Sequence, residues 1–271
     1  MSASLAGVSA VSAALATART QERAALIGYL PVGYPTVAVS IDAMRAMVAG
    51  GADVVEVGMP YSDPVMDGPT IQAAADVAVR GGVRLVDALQ AVAAVVDAGA
   101  AAVIMSYWNP IEHYGVARFA AELAAAGGSG AITPDLIPDE AGPWLAATDA
   151  HGLDRIFLVA PSSTDARIVA AAAASRGFVY AASTMGVTGA RASVGGGATA
   201  LVARVRALAP ATAVCVGLGV SDGDQAAEVA SFADGVIVGS AFVRRLLDSP
   251  DAAGVAAVGA LAAELAAGVR R

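Results

Sequence analysis

The chain has 271 residues, a formal charge of −8 and an isoelectric point near 4.7, which argue against a broadly basic nucleic-acid surface. About a quarter of it is alanine, which accounts for the mean hydropathy of +0.65, and its apolar runs are broken well short of the roughly 20 residues that span a bilayer. All 16 basic residues are arginine, so no Schiff base, pyridoxal aldimine or P-loop lysine can form on this chain, and two histidines with one cysteine exclude a three-histidine zinc site and a disulfide.

The first 18 residues are uncharged and rich in alanine and serine, without the basic start of a signal peptide. They predict an N-terminal helix and a soluble, cytoplasmic protein. Short apolar, β-branched runs then alternate with alanine-rich helical stretches. Strands are predicted at 25–30, 53–57, 102–105, 130–133, 155–159, 178–181, 213–216 and 235–238. Helices are predicted at 37–49, 70–79, 85–98, 116–126, 140–150, 165–175, 199–209 and 222–230, followed by 240–247 and 252–269. Strands this short, with little alternation, suit a parallel sheet covered on both faces. Eight such units in about 250 residues fit an α/β fold, a single-domain (β/α)8 TIM barrel over residues 1–271 with an extra N-terminal helix. A doubly wound open sheet is the alternative, weakened because no GxGxxG follows the first strand.

In a barrel the active site lies at the C-terminal ends of the strands, so polar groups just after each strand are the candidates. Glu56 stands inside the apolar run Val54-Val55-Glu56-Val57. Burial there would raise its pKa and suit it to acid–base catalysis; pairing with an arginine inside the barrel is the structural alternative. Asp63 and Asp67 follow in a loop stiffened by Pro60, Pro64 and Pro69. Asp67 is either an active-site carboxylate or the cap of the helix that begins at Pro69 or Thr70. Strand seven runs into Gly217-Leu218-Gly219, and strand eight into Gly239-Ser240 directly before a helix. Glycine amides and a helix N-terminus there could hold a phosphate without any lysine, or serve as ordinary turns. The segment Ser183–Thr199 is glycine-rich and suits either a movable lid or a surface loop. Tyr29, Tyr107 and Tyr180 lie at or near strand ends and could line an apolar substrate pocket or belong to the core, and Asp135 is placed at the same pocket, where it could order a neighbouring hydroxyl or a loop. His113 and His151 lie in connections and are expected to be exposed or capping residues, while Cys215 is expected to be buried in its strand.

The segment GADVVEVGMPYSDPVMDGPTIQ, with GYLPVGYPT, SYWNPIEHYG, TPDLIPDE, GVTGAR, GLGVSD and GVIVGSAFV in order, resembles the tryptophan synthase alpha subunit family from about residue 20 to 250. The resemblance implies a carbon–carbon lyase of tryptophan biosynthesis, which splits indole-3-glycerol phosphate into indole and glyceraldehyde 3-phosphate. By position, Glu56 matches the family's catalytic glutamate and Asp67 its second catalytic carboxylate. Tyr180 matches a pocket tyrosine; Gly189, Gly219, Gly239 and Ser240 match phosphate-binding positions. No cofactor is implied in this chain. Pyridoxal phosphate is implied only in a beta-subunit partner, within an alpha2-beta2 heterotetramer. Thr184 follows Ser183 where many relatives have arginine, so that arginine's anchoring role is not carried over. Another sugar-phosphate barrel enzyme, or a non-catalytic barrel that activates a partner, are the alternative functions.

Overall fold

The computed structural model describes residues 8–182, 196–217 and 219–271. Within them, nine parallel strands form one sheet: β1 (Ala25–Pro31), β2 (Val54–Gly58), β3 (Ala101–Met105), β4 (Gly130–Ile132), β5 (Asp154–Ile156), β6 (Leu158–Val159), β7 (Val179–Ala182), β8 (Val214–Gly217) and β9 (Gly235–Val238). Their order is β5-β4-β3-β2-β1-β9-β8-β7-β6. The two edge strands are consecutive in the chain, so the sheet curls into a nearly closed barrel with the expected eight-unit (β/α)8 plan.

The fifth predicted strand, Arg155–Val159, is the one that departs from expectation. It is two short strands, β5 paired with β4 and β6 paired with β7. Phe157 separates them. Its N–H goes to Ser175 Oγ (3.3 Å) instead of a neighbouring strand, while its carbonyl accepts Tyr180 N–H (3.0 Å). A side-chain acceptor has replaced one rung of the ladder.

Twelve α-helices accompany the strands among the described residues. They are α1 (Ala10–Thr20), α2 (Val37–Ala49), α3 (Pro69–Arg80), α4 (Leu85–Asp97), α5 (Trp108–Tyr114), α6 (Val116–Ala125), α7 (Gly142–His151), α8 (Asp165–Ala174), α9 (Gly196–Leu208), α10 (Gly223–Ala230), α11 (Ser240–Asp248) and α12 (Ala252–Gly268). Their starts follow the local chemistry. Thr36, Thr164 and Asp222 accept the backbone N–H of Val39, Arg167 and Gln225 at the heads of α2, α8 and α10. Helix α5 was not anticipated, because Pro110 breaks its pattern. Pro110 lies in the first turn, where its missing N–H is not needed.

Two apolar cores result. Inside the barrel, Ile27, Val54, Val103, Ile132, Ile156, Phe178, Cys215 and Ile237 meet. Val11, Leu15 and Ala18 of α1 join this core, so the N-terminal helix closes the lower end of the barrel. Ser9 caps α1 and donates its hydroxyl to Asp154 Oδ2 (2.5 Å) at the base of β5. Arg23 holds Asp53 through two bonds of 2.7 and 2.8 Å at the same end. Outside, the helices pack on the other face of the sheet, with Leu26, Leu30, Val55, Val57 and Ile104 meeting Met44, Met47, Phe119 and Trp144. The lower end is therefore committed to structure, and the upper mouth is left for chemistry.

Candidate active site

Register and alternation place the mouth residues. Tyr29 of β1 is level with Glu56 of β2, and Tyr180 of β7 is level with Cys215 of β8. Ile27, Val54 and Cys215 belong to the interior core, so the residues two further along β1 and β2 face inward at the next layer up. Glu56 is fully buried, at 0 % exposure, and neither of its carboxyl oxygens has a hydrogen-bond partner. The alternative of an arginine partner is thus not realised among the described residues. Burial without compensation pushes its pKa from the usual 4.5 to about 8. At neutral pH this side chain holds a proton.

Asp67 ends the β2–α3 loop at the same mouth and is partly shielded. It does not cap α3, whose N-cap is Gly68 with no side-chain bond to the first turn. Burial raises its pKa from 3.8 to about 6, so it is mostly ionised at neutral pH. Asp63, by contrast, is exposed and accepts the neighbouring Ser62 hydroxyl (2.6 Å). The two carboxyls converge electrostatically. The phenols of Tyr29 and Tyr180 are both pushed well above the usual tyrosine range, first by burial and then by the charges of Glu56 and Asp67.

Glycines make room for these rings, which the sequence reading did not foresee. A Cβ on Gly58 would lie 2.5 Å from Cε2 and 2.6 Å from Oη of Tyr29, and one on Gly239 would lie 3.2 Å from Cδ1 of the same ring. Likewise a Cβ on Gly217 would collide with Tyr180 Oη. The signal was present: Gly58 is two residues after Glu56 and so shares its face.

Two strands from Glu56 around the barrel, α11 begins directly after β9. Gly239 is its N-cap, Ser240 is its buried first residue, and no side chain caps the first turn. The early amides of such a turn are free to meet an anion. Gly219 has φ +70°, a conformation that favours glycine. Gly189 lies outside the described residues, as do Ser183, Thr184 and most of the segment predicted as a lid.

Tyr107 and Asp135 have defined partners in other loops. Tyr107 Oη accepts the N–H of Met66 (2.9 Å), and the Asp135 carboxylate accepts the N–H of Trp108 at 2.9 and 3.1 Å, holding the head of α5. His113 and His151 are exposed at the last turns of α5 and α7, and Cys215 is buried, as expected. Among the described residues, no group of three histidine, cysteine or acidic side chains could hold a metal ion.

A parallel barrel with a buried protonated carboxyl, a second carboxylate and an uncapped helix terminus around one mouth is a TIM-barrel enzyme. The family model for the tryptophan synthase alpha chain matches residues 15–269. The tryptophan synthase alpha chain of Thermobifida fusca is 64 % identical over 259 residues, covering 94 % of this chain and 96 % of its own. That of Nocardia farcinica is 63 % identical over 255 residues, covering 94 % of each. A structure of Mycobacterium tuberculosis tryptophan synthase superposes with a TM-score of 0.92 at 58 % identity, covering 98 % of this chain and 100 % of that one. The chain belongs to the tryptophan synthase alpha chain family. The alpha reaction is the cleavage of indole-3-glycerol phosphate, and the alpha chain pairs with a beta subunit.

Proposed function

We propose that the chain, folded as one barrel domain, cleaves indole-3-glycerol phosphate by carboxylate acid–base catalysis at this mouth. The observation that carries the reading is Glu56, fully buried with neither carboxyl oxygen partnered, an environment that raises its pKa to about 8. Glu56 gives its proton to C3 of the indole ring, which leaves positive charge on the ring nitrogen. Asp67, ionised at neutral pH, accepts the indole N–H and stabilises that charge in a site largely shielded from water. The Glu56 carboxylate then takes the proton from the hydroxyl on the adjacent side-chain carbon. The carbon–carbon bond breaks, its electron pair returns to the ring, and an aldehyde forms. Glu56 ends protonated, so protons and electrons balance over the cycle.

Tyr29 and Tyr180 line the indole pocket, with Tyr107 and Asp135 holding its edge. The substrate phosphate sits against the amides of Gly219, Gly239 and Ser240 and the head of α11, with Gly189 assigned to the same group by its position in the family motif. The ring is its own electron sink, so the chain needs no cofactor; pyridoxal phosphate is assigned to the beta partner. No helix among the described residues is long and apolar enough to cross a membrane. A cytoplasmic alpha2-beta2 heterotetramer is the proposed assembly.

The test is indole release from indole-3-glycerol phosphate by the purified chain, with and without a beta subunit. Glu56→Gln and Asp67→Asn should each lose about 10²–10⁴ in turnover, the range for removing a proton-transfer or charge-stabilising group. Near-normal turnover in either variant removes that residue from the mechanism.

A further inference from the structure

We propose that Tyr107 is a positioning residue for Asp67, acting through the backbone of the β2–α3 loop. This inference rests on the reading above that Asp67 acts in the reaction. The loop is irregular between β2 and α3, and Asp67 is its last residue before the Gly68 cap. Its carboxylate direction is therefore set by the main chain on either side. Both sides are anchored. Before it, Met66 N–H donates to Tyr107 Oη (2.9 Å); after it, the Asp67 carbonyl accepts Gln72 Nε2 (2.8 Å) from the first turns of α3.

Tyr107 is itself held firmly enough to serve as an anchor. It is buried at the N-cap of α5, directly after β3. Its ring packs on Tyr61 with centroids 5.3 Å apart, and Asn109 Nδ2 donates to Tyr61 Oη (2.9 Å). Asp135 holds the next residue by the Trp108 amide. The β3–α5 turn thus grips the catalytic loop near its start, through Tyr61, and at the residue before Asp67.

The experiment is a double-mutant cycle on the full chain, read by indole release. Tyr107→Phe keeps the ring and its stacking and removes one acceptor. It should lower kcat by about 2- to 10-fold, what one ordinary hydrogen bond supplies, with KM little changed. In an Asp67→Asn background the same change should have no further effect on kcat. Unchanged kcat in the single variant, or an equal loss in both backgrounds, overturns the proposal, because Tyr107 would then act independently of Asp67. Amide exchange at Met66 gives a second readout. Tyr107→Phe should speed it, and unchanged protection also overturns the anchor. If Asp67→Asn alone leaves turnover intact, the functional reading of Asp67 fails instead, and the Met66 exchange still decides whether Tyr107 anchors the loop.

Discussion

Glu56→Gln should stabilise the protein at high pH while it lowers turnover about 10²–10⁴-fold. In the unfolded chain this glutamate ionises near 4.5, and in the folded chain at about 8. Between those values the folded protein keeps a proton that the unfolded chain has released. Stability therefore falls as pH rises across that window and is level above it. A gap of about 3.5 pH units, at about 1.4 kcal/mol each, puts the penalty for ionising this buried carboxyl on the order of 5 kcal/mol. The amide introduced by E56Q has the shape of the protonated acid and cannot ionise. The variant should match the parent near pH 5 and exceed it at pH 9. For a chain of this size about 2–4 °C accompanies each kcal/mol, so the melting temperatures should separate by on the order of 10 °C. Thermal unfolding followed by circular dichroism at pH 5, 7 and 9 measures this directly. Every other titrating group is shared by the two proteins and cancels in the difference. A melting-temperature difference that stayed constant with pH would refute the argument that Glu56 is buried without compensation.

The same two carboxyls predict a bell-shaped pH profile for kcat/KM. Activity should decline below about 6 as Asp67 takes up a proton and above about 8 as Glu56 loses one. A profile flat from pH 5 to 9 would separate both groups from the rate. Gly58→Ala should force the Tyr29 ring from its seat, because the new methyl would lie 2.5 Å from Cε2. A destabilisation of about 1–3 kcal/mol and a raised KM are expected from denaturant titration and the indole assay. Arg23→Ala, at the opposite end of the barrel, leaves the Asp53 carboxylate without its two guanidinium bonds. It should lower unfolding free energy by about 3 kcal/mol while the folded fraction keeps its kcat; loss of kcat at low temperature would show that the barrel base is coupled to the mouth.

Much of this was legible in the sequence, for a local reason. Strand and helix periods depend on neighbouring residues, so the eight alternating units, the N-terminal helix and the barrel could be read directly. A carboxylate inside Val54-Val55-Glu56-Val57 marked itself, because such a run makes sense only in a buried strand. The absence of lysine likewise confines the chemistry through composition alone. Partnerships between distant residues were not legible. Whether Glu56 meets an arginine depends on the eight other strands; only the folded barrel shows its oxygens unpaired. Whether Asp67 caps α3 or faces the mouth depends on where Tyr107, 40 positions on, places its phenol, with Met66 41 positions away from it. Asp135 reads as a residue that could order a neighbouring loop, but only the fold shows that the loop is the head of α5, 27 residues back. Strand five breaks at Phe157 because Ser175, 18 residues later, takes its N–H. Sequence alone determined the elements and the chemical types available, since both are properties of short stretches. Tertiary structure decided which groups are paired, which are left bare and which way they point, since those depend on atoms that only folding brings together.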